Sequence, residues 1–108
     1  MIPKVSIYYF IYTFKSNAKG EAPIYCKVSV NGKHKRFSTG ISILPKLWDA
    51  TKQKVRGKNL ITEDINSTLY LQTEHIQTIA KKLQENNPNG FSIDDLYFNL
   101  KQGIPDEQ

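Results

Sequence analysis

The chain has 108 residues, of which 39% are hydrophobic and 11% aromatic, which predicts one folded domain with a modest core and excludes a disordered chain. No apolar run approaches the roughly 20 residues that span a bilayer, and one cysteine with two distant histidines excludes a disulfide or zinc site, so a reducing cytoplasm is expected. The net charge of +5 is uneven, because residues 1–60 hold 12 basic and two acidic side chains whereas residues 61–108 hold three and eight, which indicates a polyanionic partner for the first half.

Three β-strands are predicted in this basic half. Residues 5–14 are almost all β-branched or aromatic, as on a packed sheet surface. Both faces of this first strand are apolar, so its facing stays open. Its tyrosines Tyr8, Tyr9 and Tyr12 have two alternative places, the ligand face and the core, and core packing is the expected role of any one of them. Asn17 and Gly20 favour a loop. Residues 24–30 alternate apolar and polar side chains, and residues 33–39 form the third strand, which Gly40 is expected to end.

The dipeptide Asn31-Gly32 predicts a two-residue type I′ turn between the second and third strands. Pairing by this turn places Lys27 opposite Arg36 on one face, together with Tyr25, Ser29, His34 and Ser38. On the other face it places Cys26 opposite Phe37 and Ile24 opposite Thr39. Opposed cations repel, so the first of these faces is expected to hold an anion, the alternative being that both side chains extend into water. Lys33 and Lys35 fall on the second, apolar face, and the hairpin tip is expected to project beyond whatever covers it.

Helices are predicted in the second half. Residues 41–57 read as an irregular basic arm, in which Pro45 and Trp48-Asp49 mark a turn or one helical turn and Trp48 is a packing anchor. Apolar residues at helical spacing predict a long helix over 62–86. Ser92 and Asp95 resemble a capping box at the start of a second helix over 93–101, and 104–108 reads as a tail. The expected fold is therefore α+β, a three-stranded antiparallel meander packed on the long helix, plus a short C-terminal helix.

Several segments carry a resemblance to a known family. They are APIYCKVSVNGK at 22–33, FSTGI at 37–41, PKLWD at 45–49, KQKVRG at 52–57 and FSIDDL at 91–96. In order and spacing they resemble the N-terminal arm-binding domain of phage- and conjugative-transposon-type tyrosine recombinases, or integrases. The resemblance implies a sheet laid in the major groove of arm-type sites, in a longer recombinase whose catalytic Arg/His/Tyr domain has no match here.

The site expected from these two lines of reasoning binds duplex DNA and is not catalytic. Lysines and Arg56 contact phosphates, and Arg36 and Lys27 are the best candidates to read guanine edges. The predicted DNA-binding residues are Tyr25, Lys27, Ser29, Lys33, His34, Lys35, Arg36, Ser38, Lys15, Lys19, Lys52, Lys54 and Arg56. We expect no cofactor, no metal and no membrane association, and the isolated domain is expected to be a monomer that is nucleoid-associated when bound.

Other interpretations remain at this point. Exposed tyrosines on a sheet also stack unpaired bases, as in single-stranded nucleic acid or RNA binding. The sheet or the acidic half could also dock another recombinase domain or subunit, and for the acidic half this role is compatible with DNA binding. Among single residues, Cys26 is expected in the core, His34 at the exposed hairpin near phosphate or water, and His75 on a solvated helix surface.

Overall fold

The sheet and the two helices that follow it define the architecture. A computed structural model describes residues 4–103, with side chains through Leu100. The sheet has the order β1 (Val5–Ile11), β2 (Ala22–Val30) and β3 (Lys33–Ile43), all antiparallel. A small hairpin follows, β4 (Trp48–Asp49) and β5 (Lys54–Val55), and then α1 (Leu60–Asn86) and α2 (Ile93–Gly103). The predicted fold class is confirmed, and the predicted tail at 104–108 lies outside the described residues.

The central strand β2 separates the two faces of the sheet. Its alternating sequence buries five side chains on one side and leaves those between them half-buried; the buried ones are Ala22, Ile24, Cys26, Val28 and Val30. In β1, Tyr9 lies opposite Cys26 and Ile7 opposite Val28. The odd-numbered residues of β1 therefore join the core, which answers the question of facing that the sequence left open.

Both helices cover this buried face. Leu69 and Ile76 of α1 and Leu96 and Leu100 of α2 belong to one core with the sheet. The Tyr9 hydroxyl lies 3.0 Å from Thr73 Oγ1 and 3.2 Å from the Leu69 carbonyl oxygen of α1. The sequence predicted that the long helix covers the sheet, and the structure adds α2 to that cover.

The helix starts follow from side-chain caps. Asn59 accepts a hydrogen bond from the Thr62 N–H at 2.8 Å, so α1 begins at Leu60, two residues before the predicted start. At α2 the predicted capping box is confirmed. Ser92 accepts from the Asp95 N–H at 3.2 Å, and Asp95 accepts from the Ser92 N–H at 3.0 Å.

The strand boundaries differ from the prediction at the end of the sheet away from the Asn31-Gly32 turn. A 3-10 turn at Thr13–Lys15 ends β1 early, and β2 begins at Ala22. The expected stop at Gly40 is wrong, because Gly40 takes a φ of +83° within an irregularity of β3, and the strand continues to Ile43. The predicted pair of Ile24 with Thr39 is also wrong. The register shifts there, and the Thr39 hydroxyl instead donates to the Ile24 carbonyl at 2.8 Å.

The predicted irregular arm at 41–57 contains the β4–β5 hairpin, which corrects that prediction. Only Pro45–Leu47 forms the expected turn, since Trp48 and Asp49 are strand residues that pair with Val55 and Lys54. Each strand has two residues, which is too short for alternation to be read from the sequence. Trp48 is buried, as the prediction of a packing anchor requires.

Candidate nucleic-acid interface

The face of the sheet opposite the helices carries both polar and aromatic side chains. We call this surface the open face and define it by the side chains of β1–β3 that alternate with the buried ones, together with Tyr12, Phe14 and Lys15 beyond β1. From the strands these are Ser6, Tyr8, Phe10, Tyr25, Lys27, Ser29, His34, Arg36 and Ser38.

The predicted pairing of this face is confirmed. Lys27 lies opposite Arg36, Tyr25 opposite Ser38 and Ser29 opposite His34. The two-residue turn at Asn31-Gly32, with both residues at positive φ, sets this register. Six of the predicted site residues therefore share one face of two adjacent strands.

Tyrosines of the open face hold its cations. Arg36 Nη1 donates to the Tyr12 hydroxyl at 2.9 Å, and Lys27 Nζ lies 5.6 Å from the centre of the Tyr8 ring. Lys15 Nζ donates to the Tyr25 hydroxyl at 3.1 Å. Contacts of a cation with a ring face are attractive, so these side chains rest on the aromatic surface instead of extending into water.

The positive charge of the open face is not neutralised by nearby acids. Among the residues the structure describes, no carboxylate lies within 4.0 Å of Lys15, Lys27 or Arg36, and the ion pair found at that distance joins Lys35 to Asp94 at 3.3 Å on the opposite face. Two opposed cations without a carboxylate partner favour an external anion over this part of the sheet.

A row of aromatic rings lies beside these cations. The sequence had predicted only Tyr25 of this row as a site residue and had left the facing of Tyr8 and Tyr12 open. Ring centres lie 6.0 Å apart for Tyr8–Phe10, 5.0 Å for Phe10–Tyr12 and 4.9 Å for Tyr12–Phe14, and Tyr25 joins from β2 at 4.6 Å from Tyr12. We call these five rings the aromatic ladder. Its ends are open to solvent, with Tyr8 42% exposed and Phe14 79% exposed.

The expected core role is wrong for Tyr8 and Tyr12, because only Tyr9 of the three tyrosines in this strand is buried. The sequence did contain a signal for the difference. In residues 5–14 the even positions from Tyr8 onward are all aromatic, whereas Val5, Ile7 and Ile11 at odd positions are aliphatic. That parity separates an aromatic face from a core face.

Two predicted site residues of β3 lie on the side of the sheet that the helices cover. Lys33 is exposed and pairs with the buried Val30, and Lys35 pairs with the buried Val28. The Lys35 ammonium contacts Asp94 and lies 5.2 Å from the centre of the Tyr97 ring. The expectation that the tip projects beyond its cover is therefore wrong at Lys35, because α2 lies beside it.

The remaining predicted cations flank the sheet. Lys19 is exposed in the loop between β1 and β2. Lys52, Lys54 and Arg56 are exposed on and after the β4–β5 hairpin, which meets the outer edge of β1 through a hydrogen bond of 2.8 Å from the Tyr9 N–H to Gln53 Oε1. These residues are not in hydrogen-bond contact with the open face.

Two side chains fix the β4–β5 hairpin by hydrogen bonds to its backbone. The Asp49 side chain accepts from the N–H groups of Thr51 and Lys52 at 3.1 and 3.0 Å. The Lys52 N–H is the main cause that holds the pKa of Asp49 below its usual range, and the charge of Arg56 adds to it. Asn66 of α1 accepts from the Val55 N–H at 2.9 Å and donates to the Val55 carbonyl at 3.0 Å. The basic side chains of this hairpin are thus attached to a fixed backbone.

Cys26 and the two histidines are the other side chains that could react or bind a metal ion. Cys26 is buried as predicted, and burial raises the pKa of its thiol to about 12, so the thiol is protonated at neutral pH. His34 and His75 are exposed, as predicted. Within residues 4–103, no three His, Cys, Asp or Glu side chains are grouped to hold a metal ion. Over that same part of the chain, neither helix has the length and apolar character to cross a membrane.

Comparison with known proteins identifies a family. A family model described as an arm DNA-binding domain matches residues 9–97. This range includes every predicted site residue and all of the aromatic ladder except Tyr8. No curated protein and no solved structure has a significant match to the chain.

Proposed function

Because the chain belongs to the arm DNA-binding domain family, a family of non-catalytic DNA-binding modules, we propose that its open face binds duplex DNA in the major groove. The observation that carries this proposal is the opposed pair of Lys27 and Arg36, which no described carboxylate neutralises. The major groove is about 12 Å wide and admits a two-stranded ribbon, and β2 and β3 form such a ribbon with its polar side outward.

Arg36 is the proposed reader of base edges. A guanidinium has five N–H donors, and one hydrogen bond to Tyr12 orients the group while the other donors stay available. Arg and Lys side chains donate to O6 and N7 of guanine in the major groove. Lys27, directly opposite, supplies the second cation, and the neighbouring Ser29, His34 and Ser38 contact bases or backbone.

The flanking cations are proposed to contact phosphates. Lys15 and Lys19 lie before β2 at one side of the ribbon, and Lys52, Lys54 and Arg56 extend from the small hairpin at the edge of β1. Such contacts supply affinity and register but carry no sequence information directly. Lys33 is free to join them at the hairpin tip, whereas Lys35 contributes least because Asp94 already pairs with it.

The biological setting is proposed from the resemblance described above. The domain would hold an integrase on the arm-type sites of a mobile element, and a separate domain of that recombinase would cut and rejoin the strands. Other recombinase subunits would then be its protein partners. The isolated domain is proposed to be a monomer, located in the cytoplasm and associated with the nucleoid when bound.

Single-stranded nucleic acid is the second candidate ligand, and the aromatic ladder is the observation that favours it. Exposed rings stack on unpaired bases without sequence preference. In this ladder, however, Tyr12 packs at 65° to 84° against Phe10, Phe14 and Tyr25. These contacts occupy the central Tyr12 ring and leave Tyr8 and Phe14, at the two ends of the ladder, open for stacking. The opposed cations Lys27 and Arg36 on a two-stranded ribbon suit the major groove, so duplex DNA is the better supported ligand.

The experiment that tests the proposal compares duplex and single strand. Labelled duplexes of roughly 20 base pairs, about two turns of DNA, would be enriched from a randomised pool by the protein and titrated at several salt concentrations. We expect the protein to bind the duplex. The logarithm of its association constant should fall linearly with the logarithm of the salt concentration, with a slope of about −0.9 per phosphate contacted. Equal or tighter binding of the separated strands would contradict the proposal.

A further inference from the structure

From the aromatic ladder we infer that Phe14 recognises one feature of the DNA sequence. Its ring contacts the 5-methyl group of a pyrimidine, normally thymine, in the major groove. The inference rests on the proposed function, because it needs the open face to lie in that groove. It adds a ligand chemistry to the site, since none of the expected contacts of Lys27 or Arg36 distinguishes a thymine methyl.

The first step is the placement of Phe14. A 3-10 turn at Thr13–Lys15 follows β1 and carries the Phe14 ring to the end of the aromatic ladder, 4.9 Å from the Tyr12 ring centre. Backbone hydrogen bonds from Lys15 N–H to Tyr12 and from Ser16 N–H to Thr13 close this turn at 3.1 and 3.2 Å. Phe14 is 79% exposed although its turn is held in place.

The second step concerns the side chains that surround the Phe14 ring. A single exposed hydrophobic side chain is ordinary, but Phe14 continues a row of rings on the same side of the sheet as the open-face cations. Neighbouring Lys15 lies 5.2 Å from the centre of the Tyr12 ring. An apolar surface bordered by cations suits a ligand that presents apolar and anionic groups together.

The third step is the chemistry of the groove. The edges of the bases in the major groove present hydrogen-bond donors and acceptors, and the apolar group among them is the 5-methyl of thymine. Phe14 has no hydrogen-bonding group on its side chain, so a base edge offers it favourable contact at a methyl. Cytosine methylated at carbon 5 carries the same group and is the alternative source of this contact.

The test removes or adds that methyl without changing Watson–Crick pairing. The probes are alternating duplexes of dA with dT, of dA with dU, of dG with dC and of dG with 5-methyl-dC, titrated at one salt concentration. Loss of one methyl contact is expected to weaken binding about fourfold. We therefore expect the protein to bind the dT duplex more tightly than the dU duplex. It should also bind the 5-methyl-dC duplex more tightly than the dC duplex, by a similar factor.

Phe14→Ala completes the test. The variant is expected to bind the dT duplex about fourfold more weakly than the unaltered protein and to lose the difference between dT and dU. Tyr70→Ala is the matched control, because Tyr70 is an aromatic residue of α1 that is 63% exposed and lies outside the open face. It is expected to keep the full difference between the two duplexes.

The outcomes separate the inference from the proposed function. Tight, salt-dependent binding of dT and dU duplexes with equal affinity would overturn the methyl contact and leave duplex binding standing. A dT preference that survives Phe14→Ala would also overturn the role of Phe14. Failure to bind any duplex, or a preference for single-stranded poly(dT), would overturn both.

Discussion

Arg36 illustrates how one side chain of the open face is prepared for a ligand. Its guanidinium reaches across the sheet to the Tyr12 hydroxyl, which accepts a hydrogen bond of 2.9 Å. The Tyr12 ring is in turn held by its contacts with Phe10, Phe14 and Tyr25. Ordering a long side chain before binding reduces the conformational entropy lost on association, so Tyr12 acts on DNA affinity through Arg36.

Tyr12→Phe tests this positioning role. The substitution keeps the ring packing and removes the hydroxyl that accepts from Arg36. A hydrogen bond to a charged group contributes about 1.5–3 kcal/mol, and this one contributes less because it is exposed. We therefore expect Tyr12→Phe to lower duplex affinity about threefold to tenfold. The temperature of thermal unfolding is expected to stay unchanged.

The control for this prediction is Tyr70→Phe, which removes a hydroxyl from the exposed surface of α1. Both variants would be titrated against the same duplex. Equal affinity of Tyr12→Phe, Tyr70→Phe and the unaltered protein would show that the Tyr12 hydroxyl does not position Arg36 for binding.

At the scale of elements, the β4–β5 hairpin carries Lys52 and Lys54, with Arg56 just beyond it, and depends on one side chain of α1. Asn66 makes two hydrogen bonds to the backbone of Val55, and Val55 itself is buried. Removal of Asn66 would leave both backbone groups of Val55 without these partners. The attachment therefore links the stability of the fold to the position of the flanking cations.

Asn66→Ala is expected to lower the free energy of unfolding by about 1–3 kcal/mol, because a part-buried donor and acceptor of the Val55 backbone lose their partners. The matched control is Gln77→Ala, which also removes a side-chain amide from α1, at a position that is exposed and makes no described side-chain hydrogen bond. Urea unfolding of the two variants would measure the difference. Equal stability of both variants would contradict the role given to Asn66.

The elements also show what a sequence reading can and cannot reach. The Asn31-Gly32 turn allowed every pair from Tyr25–Ser38 to Val30–Lys33 to be derived by counting, because a two-residue turn leaves one register. The count failed at Ile24, where β3 departs from regular pairing at Gly40. At this irregularity the Thr39 hydroxyl donates to the Ile24 carbonyl, a contact that counting from the turn does not reveal.

The same reading predicted the polar residues of the open face and Tyr25, but not the aromatic rings in and after β1. The polar residues of β2 were found because they alternate with apolar ones, and those of β3 were found by counting across the Asn31-Gly32 turn. In β1 both faces are apolar, so a distinction between inside and outside needed the contrast of aromatic with aliphatic side chains. Lys35 was included in the site because the hairpin tip was expected to project beyond its cover, whereas its pairing with Asp94 depends on where α2 packs.

Over the whole molecule, the uneven charge matches the division of the fold into a sheet and its cover. The described part of the basic first 60 residues forms the sheet and the small hairpin. Residues 61–103, with three basic and six acidic side chains, form the two helices on the buried face and the loop between them. The net charge of the surface presented by the sheet is therefore more positive than the total of +5 indicates. Such a field draws a polyanion towards the open face.

The most direct measurement compares two double variants that remove equal charge from different faces. Lys27→Ala with Arg36→Ala alters the open face, and Lys81→Ala with Lys82→Ala removes two exposed cations of α1. Each would be titrated against the same enriched duplex over a range of salt concentrations. We predict that the open-face variant binds at least about tenfold more weakly with a shallower salt dependence, and that the α1 variant stays within about threefold of the unaltered protein. A larger loss in the α1 variant, or unchanged affinity in the open-face variant, would contradict the assignment of DNA binding to the open face.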